Sequence, residues 1–178
     1  VEVSLPSNAF FTNVAQESPI GFYPRIWLGE QSYWTVFGVR GDMSEALISE
    51  EGRIELNKES PSIEPFLFLN GKLTTWSDVK LSQSLEDGFL PVPSMRWEKE
   101  GLALIITAFA DGAPDASSLN VRYRVVNSSK QVQRGKFYLA VRPFQVNPPW
   151  QELNTVGGVA KISSLEYRDS SVWINRRI

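Results

Sequence analysis

The residues that could carry chemistry in this chain are its acids, and they fall in a few settings. Asp111-Gly112-Ala113-Pro114-Asp115 brings two carboxylates into one loop. Calcium sites use carboxylates and backbone carbonyls in such loops, but this spacing fits no EF-hand. The segment therefore reads as a solvated turn. Glu86-Asp87, Glu98 and Glu152 lie near strand ends or in loops. A glycosidase needs two carboxylates at a defined separation across a cleft. Spacing in sequence does not bring any two of these together, so they read as surface acids.

Two absences narrow the chemistry further. The chain has no cysteine, which removes disulfides, thiolate nucleophiles and Cys-based zinc or iron–sulfur sites. It has no histidine, so no side chain has an unperturbed pKa near neutrality. Ser-His-Asp and Cys-His triads and HExxH zinc sites are excluded. The remaining routes are carboxylates, Lys, Tyr or a hard metal ion. No catalytic residue, resident metal or cofactor is expected.

The binding candidates are aromatic. Trp27, Trp34, Trp76, Trp97, Trp150 and Trp173 are spread along the chain. Aromatic faces can stack on the apolar side of a sugar ring, but strands use Trp mainly for packing. Trp150 is the exception, in a loop beside Pro148-Pro149 and close to Arg142 and Gln151. Loops on rigid frames carry function disproportionately. Arg142, Trp150 and Gln151 are therefore the candidate ligand-binding residues. Arg40-Gly41-Asp42, an adhesion-type tripeptide, reads as a strand end and turn. The sequon Asn127-Ser128-Ser129 likewise reads as turn chemistry.

These residues must be positioned by strands. Apolar residues alternate with polar ones in short runs bounded by turn signals. Leu119, Val121, Tyr123 and Val125 alternate with Asn120, Arg122 and Arg124, and Phe137, Leu139 and Val141 follow after Asn127-Ser128-Ser129-Lys130. The two runs are expected to form an antiparallel hairpin. Asn70-Gly71 predicts another, between Phe66–Leu69 and Lys72–Trp76. Lys99-Glu100-Gly101 predicts a third, between Ser94–Glu98 and Leu102–Phe109. The run Leu102–Phe109 is apolar on both faces, as is Tyr33–Val39, and each is expected to need a covering layer. Helix signals are weak: a turn or two over Asp42–Ile48 and one turn within Thr75–Lys80. From Phe144 to Gly158 the chain reads as an ordered loop, with Phe144, Val146, Trp150 and Leu153 expected to seek burial.

The expected architecture is all-β, a two-sheet antiparallel sandwich with little helix, spanning residues 1–178 as a single domain. Hydrophobic residues make up 42% of the chain, enough for a packed core. The 18 basic and 20 acidic residues are spread along the chain and argue against a nucleic-acid partner. No apolar run is long enough for a membrane-spanning helix, and no membrane partner is expected. Both ends fall in strand-like sequence, Val1–Leu5 and Val172–Ile174, which reads as a fragment of a longer multidomain protein.

One phrase resembles a known family. Val141-Arg142-Pro143-Phe144-Gln145-Val146-Asn147-Pro148-Pro149-Trp150, continued by Leu153–Ala160 and Ile162–Leu165, is similar to the β-sandwich region of large bacterial proteins that carry an (α/α)6 six-hairpin glycosidase-like domain. The resemblance implies a galactose-mutarotase-like supersandwich. It implies as partners a helical (α/α)6 domain of the same polypeptide and a glycan. It also implies that the catalytic acids lie on the helical domain. Mutarotases of that fold use His and Glu, and the absence of His argues against mutarotase activity here. The expected function is a non-catalytic accessory domain of a carbohydrate-active protein. The alternatives are a free-standing carbohydrate-binding module and a small carboxylate enzyme.

Overall fold

The computed structural model describes residues 6–175, so the strand expected over Val1–Leu5 lies outside the described residues. The architecture is all-β and two-sheeted, as expected. One sheet contains β1 (Trp34–Gly38), β2 (Glu45–Ser49), β3 (Ile54–Glu55), β4 (Ser62–Leu69), β5 (Lys72–Thr74) and β10 (Gly135–Arg142). Its order is β1-β2-β3-β4-β10, with β5 also paired to β4. The second sheet is a meander of β6 (Lys80–Glu86), β7 (Leu90–Lys99), β8 (Leu102–Ala113) and β9 (Ala116–Asn127). A separate hairpin joins β11 (Leu165–Arg168) to β12 (Ser171–Ile174). All pairings are antiparallel.

The two turn-based hairpins form where the sequence puts them. Asn70 and Gly71 both take positive φ, 50° and 82°, and join β4 to β5. Glu100 and Gly101 do the same at 50° and 79° between β7 and β8. Both pairs match the mirror-image turn whose twist suits a two-residue hairpin.

The hairpin expected between Leu119–Val125 and Phe137–Val141 does not form. β9 pairs along its whole length with β8, and β10 crosses to the other sheet to pair with β4. The alternation in each run is right, but it serves to close the sandwich. Tyr123 of β9 and Phe137 of β10 meet between the two sheets, with ring centroids 5.2 Å apart. The connecting segment is stiffened by Asn127, whose side chain donates to the Gln131 carbonyl and accepts from Ser129.

The main core lies between the sheets. Phe37, Ile48, Ile54 and Leu67 pack against Met95, Trp97, Leu104 and Ile106. The second face of β8 is covered without a further layer over its first half, while Phe109 farther along the same face stays exposed. Ala103 and Thr107 are buried there, and Ile105 sits in register between Arg96 of β7 and Arg124 of β9. Long Arg stems shield apolar surface while keeping their charge wet. β1 is buried on one face only: Phe37 is core while Val36 stays exposed.

An additional layer instead covers the outer face of the first sheet. It consists of helix α1 (Pro6–Gln16), a 3₁₀ turn at Arg25–Leu28 and the loop from Phe144 to Ala160. Phe11, Trp27 and Phe144 form its small aromatic core, with centroids 5.1–6.1 Å apart. Helix α1 carries no strong apolar stripe because a polar residue holds one of its buried positions. Asn8 donates to the Gly157 carbonyl and accepts from the Val159 amide, pinning the helix to the loop. The turn expected over Asp42–Ile48 is instead a tight bend leading into β2, with the Asp42 carboxylate accepting from the Ser44 amide. Thr75–Lys80 does hold one turn, at Trp76–Asp78.

Candidate functional site

In β3, Ile54 points into the core, so its neighbour Glu55 points to the outer face. Register places Ser62, Glu64 and Arg142 on that same face. The surface between the first sheet and its covering layer is therefore charged. Arg142 donates to Glu64 at 2.7 Å and to the Phe22 carbonyl at 2.6 Å. Its guanidinium also lies over the rings of Phe144 and Tyr23, 4.6 and 5.1 Å from their centroids. Arg53, only 1% exposed, sits 4.0 Å from Glu51 and 3.9 Å from Glu64. Glu51 accepts from the Arg25 amide. Burial pushes its carboxyl above the ordinary range, against the pull of Arg53.

Glu55 holds the loop to the sheet. One carboxylate oxygen accepts from the backbone amides of Val146 and Asn147, at 2.7 and 3.2 Å. Burial raises its pKa to about 7, and these two amides and Arg53 only partly offset that rise. The loop itself folds tightly around Gly157. A Cβ there would lie 2.3 Å from the Pro148 carbonyl oxygen and 2.4 Å from that of Asn147, so only glycine fits the close approach.

Between this loop and the outer face of β1–β3 lies a cleft of about 410 Å³. Val36, Leu47 and Leu153 supply apolar surface. Glu45, Glu55, Glu59 and Glu152 supply four carboxylates against one ammonium, Lys58. Asn147, Asn154 and Thr155 complete the wall. Asn147 is buried; its amide nitrogen donates to the Thr155 carbonyl at 3.4 Å, and its Oδ1 has no hydrogen-bond partner among the described residues. The wall is thus rich in acceptors and poor in positive charge. It suits a ligand that donates hydrogen bonds and disfavours anions.

The sequence candidates lie around this cleft rather than in it. Arg142 is occupied by Glu64, the Phe22 carbonyl and the aromatic rings. Trp150 is 53% exposed on the same loop, whereas the other five tryptophans are buried or half-buried. Gln151 is half-buried, and its carbonyl accepts from the Gly157 amide. None of the three lines the cleft, which begins at the next residue, Glu152. The loop buries Phe144 and Val146 as expected, but Trp150 and Leu153 stay exposed. Of the acids, Glu98 pairs with Arg96 and Asp87 sits in the β6–β7 turn. Asp111 lies near the end of β8 and Asp115 in the β8–β9 turn, and no cluster able to hold a metal occurs among the described residues.

No known protein family, curated protein or solved structure matches this chain. The geometry of the cleft therefore stands as the main guide to function. Among the cleft acids the sequence singled out Glu152 but not Glu45, Glu59 or the buried Glu55. The partners of Glu55 lie 91 and 92 residues downstream, and only an acid beside Ile54 in a short strand hinted at it.

Proposed function

We propose that this chain is a non-catalytic glycan-binding β-sandwich module, serving as an accessory domain of a carbohydrate-active protein. A neutral sugar unit is held in the cleft between the Phe144–Ala160 loop and the outer face of β1–β3. The observation that carries this reading is the cleft wall. Apolar Val36, Leu47 and Leu153 lie beside the unpartnered Asn147 Oδ1 and a set of carboxylates. A pyranose has an apolar face and a rim of hydroxyl donors, and it matches such a wall. The volume lies within the range of small-molecule sites. Exposed Trp150 on the same loop offers a stacking face to a chain extending beyond the cleft. The family resemblance adds the context of a helical (α/α)6 domain of the same polypeptide on which the module packs.

Titration calorimetry of the full chain against neutral oligosaccharides tests the reading. Binding should be weakened by Asn147→Ala and by Glu152→Ala. No heat with any neutral oligosaccharide, or binding indifferent to both substitutions, would reject it.

Glu55 supports a second reading. A buried carboxyl with a pKa of about 7, sharing a cleft with other carboxylates, has the character of a glycosidase acid. Hydrolysis of aryl glycosides that is abolished by Glu55→Gln would favour catalysis. Binding without turnover would favour the module.

A further inference from the structure

The side of the sandwich formed by β9 and β10 is unfinished. β10 is the terminal strand of its sheet, so one edge of its backbone has no ladder partner among the described residues. An edge strand of this kind can accept another strand by main-chain hydrogen bonding. Three consecutive side chains on it are exposed: Phe137 at 37%, Tyr138 at 46% and Leu139 at 48%. Phe137 and Leu139 point toward the space between the sheets, as does Val125 of β9, which is also exposed.

The exposed bases at this edge are Arg134 and Lys136. Farther along β10, Arg142 is already paired with Glu64, and Arg122 and Arg124 of β9 lie on the outer face of the other sheet. No acid lies between Ala116 and Gln151 to offset the two edge bases from within the segment. A lone lysine on an edge strand often serves to repel other edges. Protection by charge leaves the exposed Phe137-Tyr138-Leu139 run unexplained.

We infer that the β10 edge is a docking site for an extended segment of a partner polypeptide, one in which apolar residues alternate with acidic ones. Alternation follows from the strand itself. Apolar side chains of the added strand would continue the row of Phe137 and Leu139, while its acids would face Lys136 on the other side. A second copy of this chain is a poor occupant, since it would bring the same bases to the interface. The inference is independent of the cleft and its ligand.

The test uses the full chain and two dye-labelled ten-residue probes, one alternating Val and Glu, the other alternating Val and Lys. Fluorescence anisotropy should show saturable binding of the glutamate probe, about tenfold or more tighter than the lysine probe. Raising the salt should weaken it. The double substitution Arg134→Glu and Lys136→Glu, at two exposed positions, should remove or invert the preference. Equal binding of the two probes, no binding of either, or an unchanged preference in the charge-reversed chain would overturn the inference. So would a dimer of the chain in sedimentation that excludes the glutamate probe.

Discussion

The Glu55 carboxylate accepts a 2.7 Å hydrogen bond from the amide of Val146, and this contact ties the covering loop to the sheet. The same carboxyl is buried and carries a pKa of about 7. A structural tether and a titrating group thus coincide in one residue at the base of the cleft.

The pH dependence of stability follows from that coincidence. An unfolded glutamate titrates near its ordinary value, so the raised folded pKa means the native state binds the proton more tightly. Stability from this group is fully present below the unfolded pKa and is lost as pH rises through 7. The shift corresponds to about 3 kcal/mol. Glu51, also raised, acts in the same direction. Urea unfolding at pH 5 and pH 8 should show greater stability at the lower pH. Glu55→Gln should flatten that difference. A pH profile unchanged by the substitution would contradict the assignment.

Arg53 is enclosed between Glu51 and Glu64, and it cannot be removed without leaving buried carboxylates short of a counter-charge. Arg53→Met should destabilise the chain by about 3–5 kcal/mol. Denaturant melts would reveal this as a lower midpoint. Combining it with Glu51→Gln should recover part of the loss, because the carboxyl left without Arg53 is then neutral, whereas Glu64 keeps its 2.7 Å partner Arg142.

Gly157→Ala forces a Cβ against two carbonyl oxygens of the same loop. The expected cost is about 1–3 kcal/mol, with amide shifts concentrated in Asn147–Thr155. Thermal unfolding and a two-dimensional amide spectrum would check both. Normal stability with an unperturbed loop would show that the close approach is not needed.

Two tryptophans should respond in opposite ways. Trp97 is 2% exposed in the core, and its indole donates to the Glu51 carbonyl. Trp97→Ala should cost about 3–5 kcal/mol. Trp150→Ala should change stability by less than about 0.5 kcal/mol. If Trp150 stacks on the proposed glycan, the same substitution weakens binding while the melt stays put.

The parts of the fold that sequence patterns revealed are those settled by neighbours in the chain. Asn70-Gly71 and Glu100-Gly101 build their hairpins from local backbone preference, and the alternation of β9 and β10 marks each as a strand. The partner of β10 was not legible, because it is chosen by closure of the sandwich across a long sequence separation. Helix α1 was hidden by Asn8, a polar residue placed on a buried face to bind the loop. The site was legible as a segment but not as a set of side chains. The Pro-rich loop drew attention to Arg142, Trp150 and Gln151, yet the cleft is lined by the residues just beyond them. Glu55 could not be recognised from its own surroundings, since a loop far downstream buries it.

The β4–β10 pairing runs from Leu69–Gly135 to Ser62–Arg142 and encloses the whole β6–β9 meander in one chain loop. The consequence is an order in time. The meander closes through short turns, whereas β10 must return across that entire loop, and such non-local pairings form slowly. The cleft needs the segment after β10, so it is expected to form no earlier than the β4–β10 pairing. Pulse-labelled hydrogen exchange during refolding should protect the amide of Leu104 before that of Tyr138, which faces β4, and the Val146 amide on Glu55 no earlier than either.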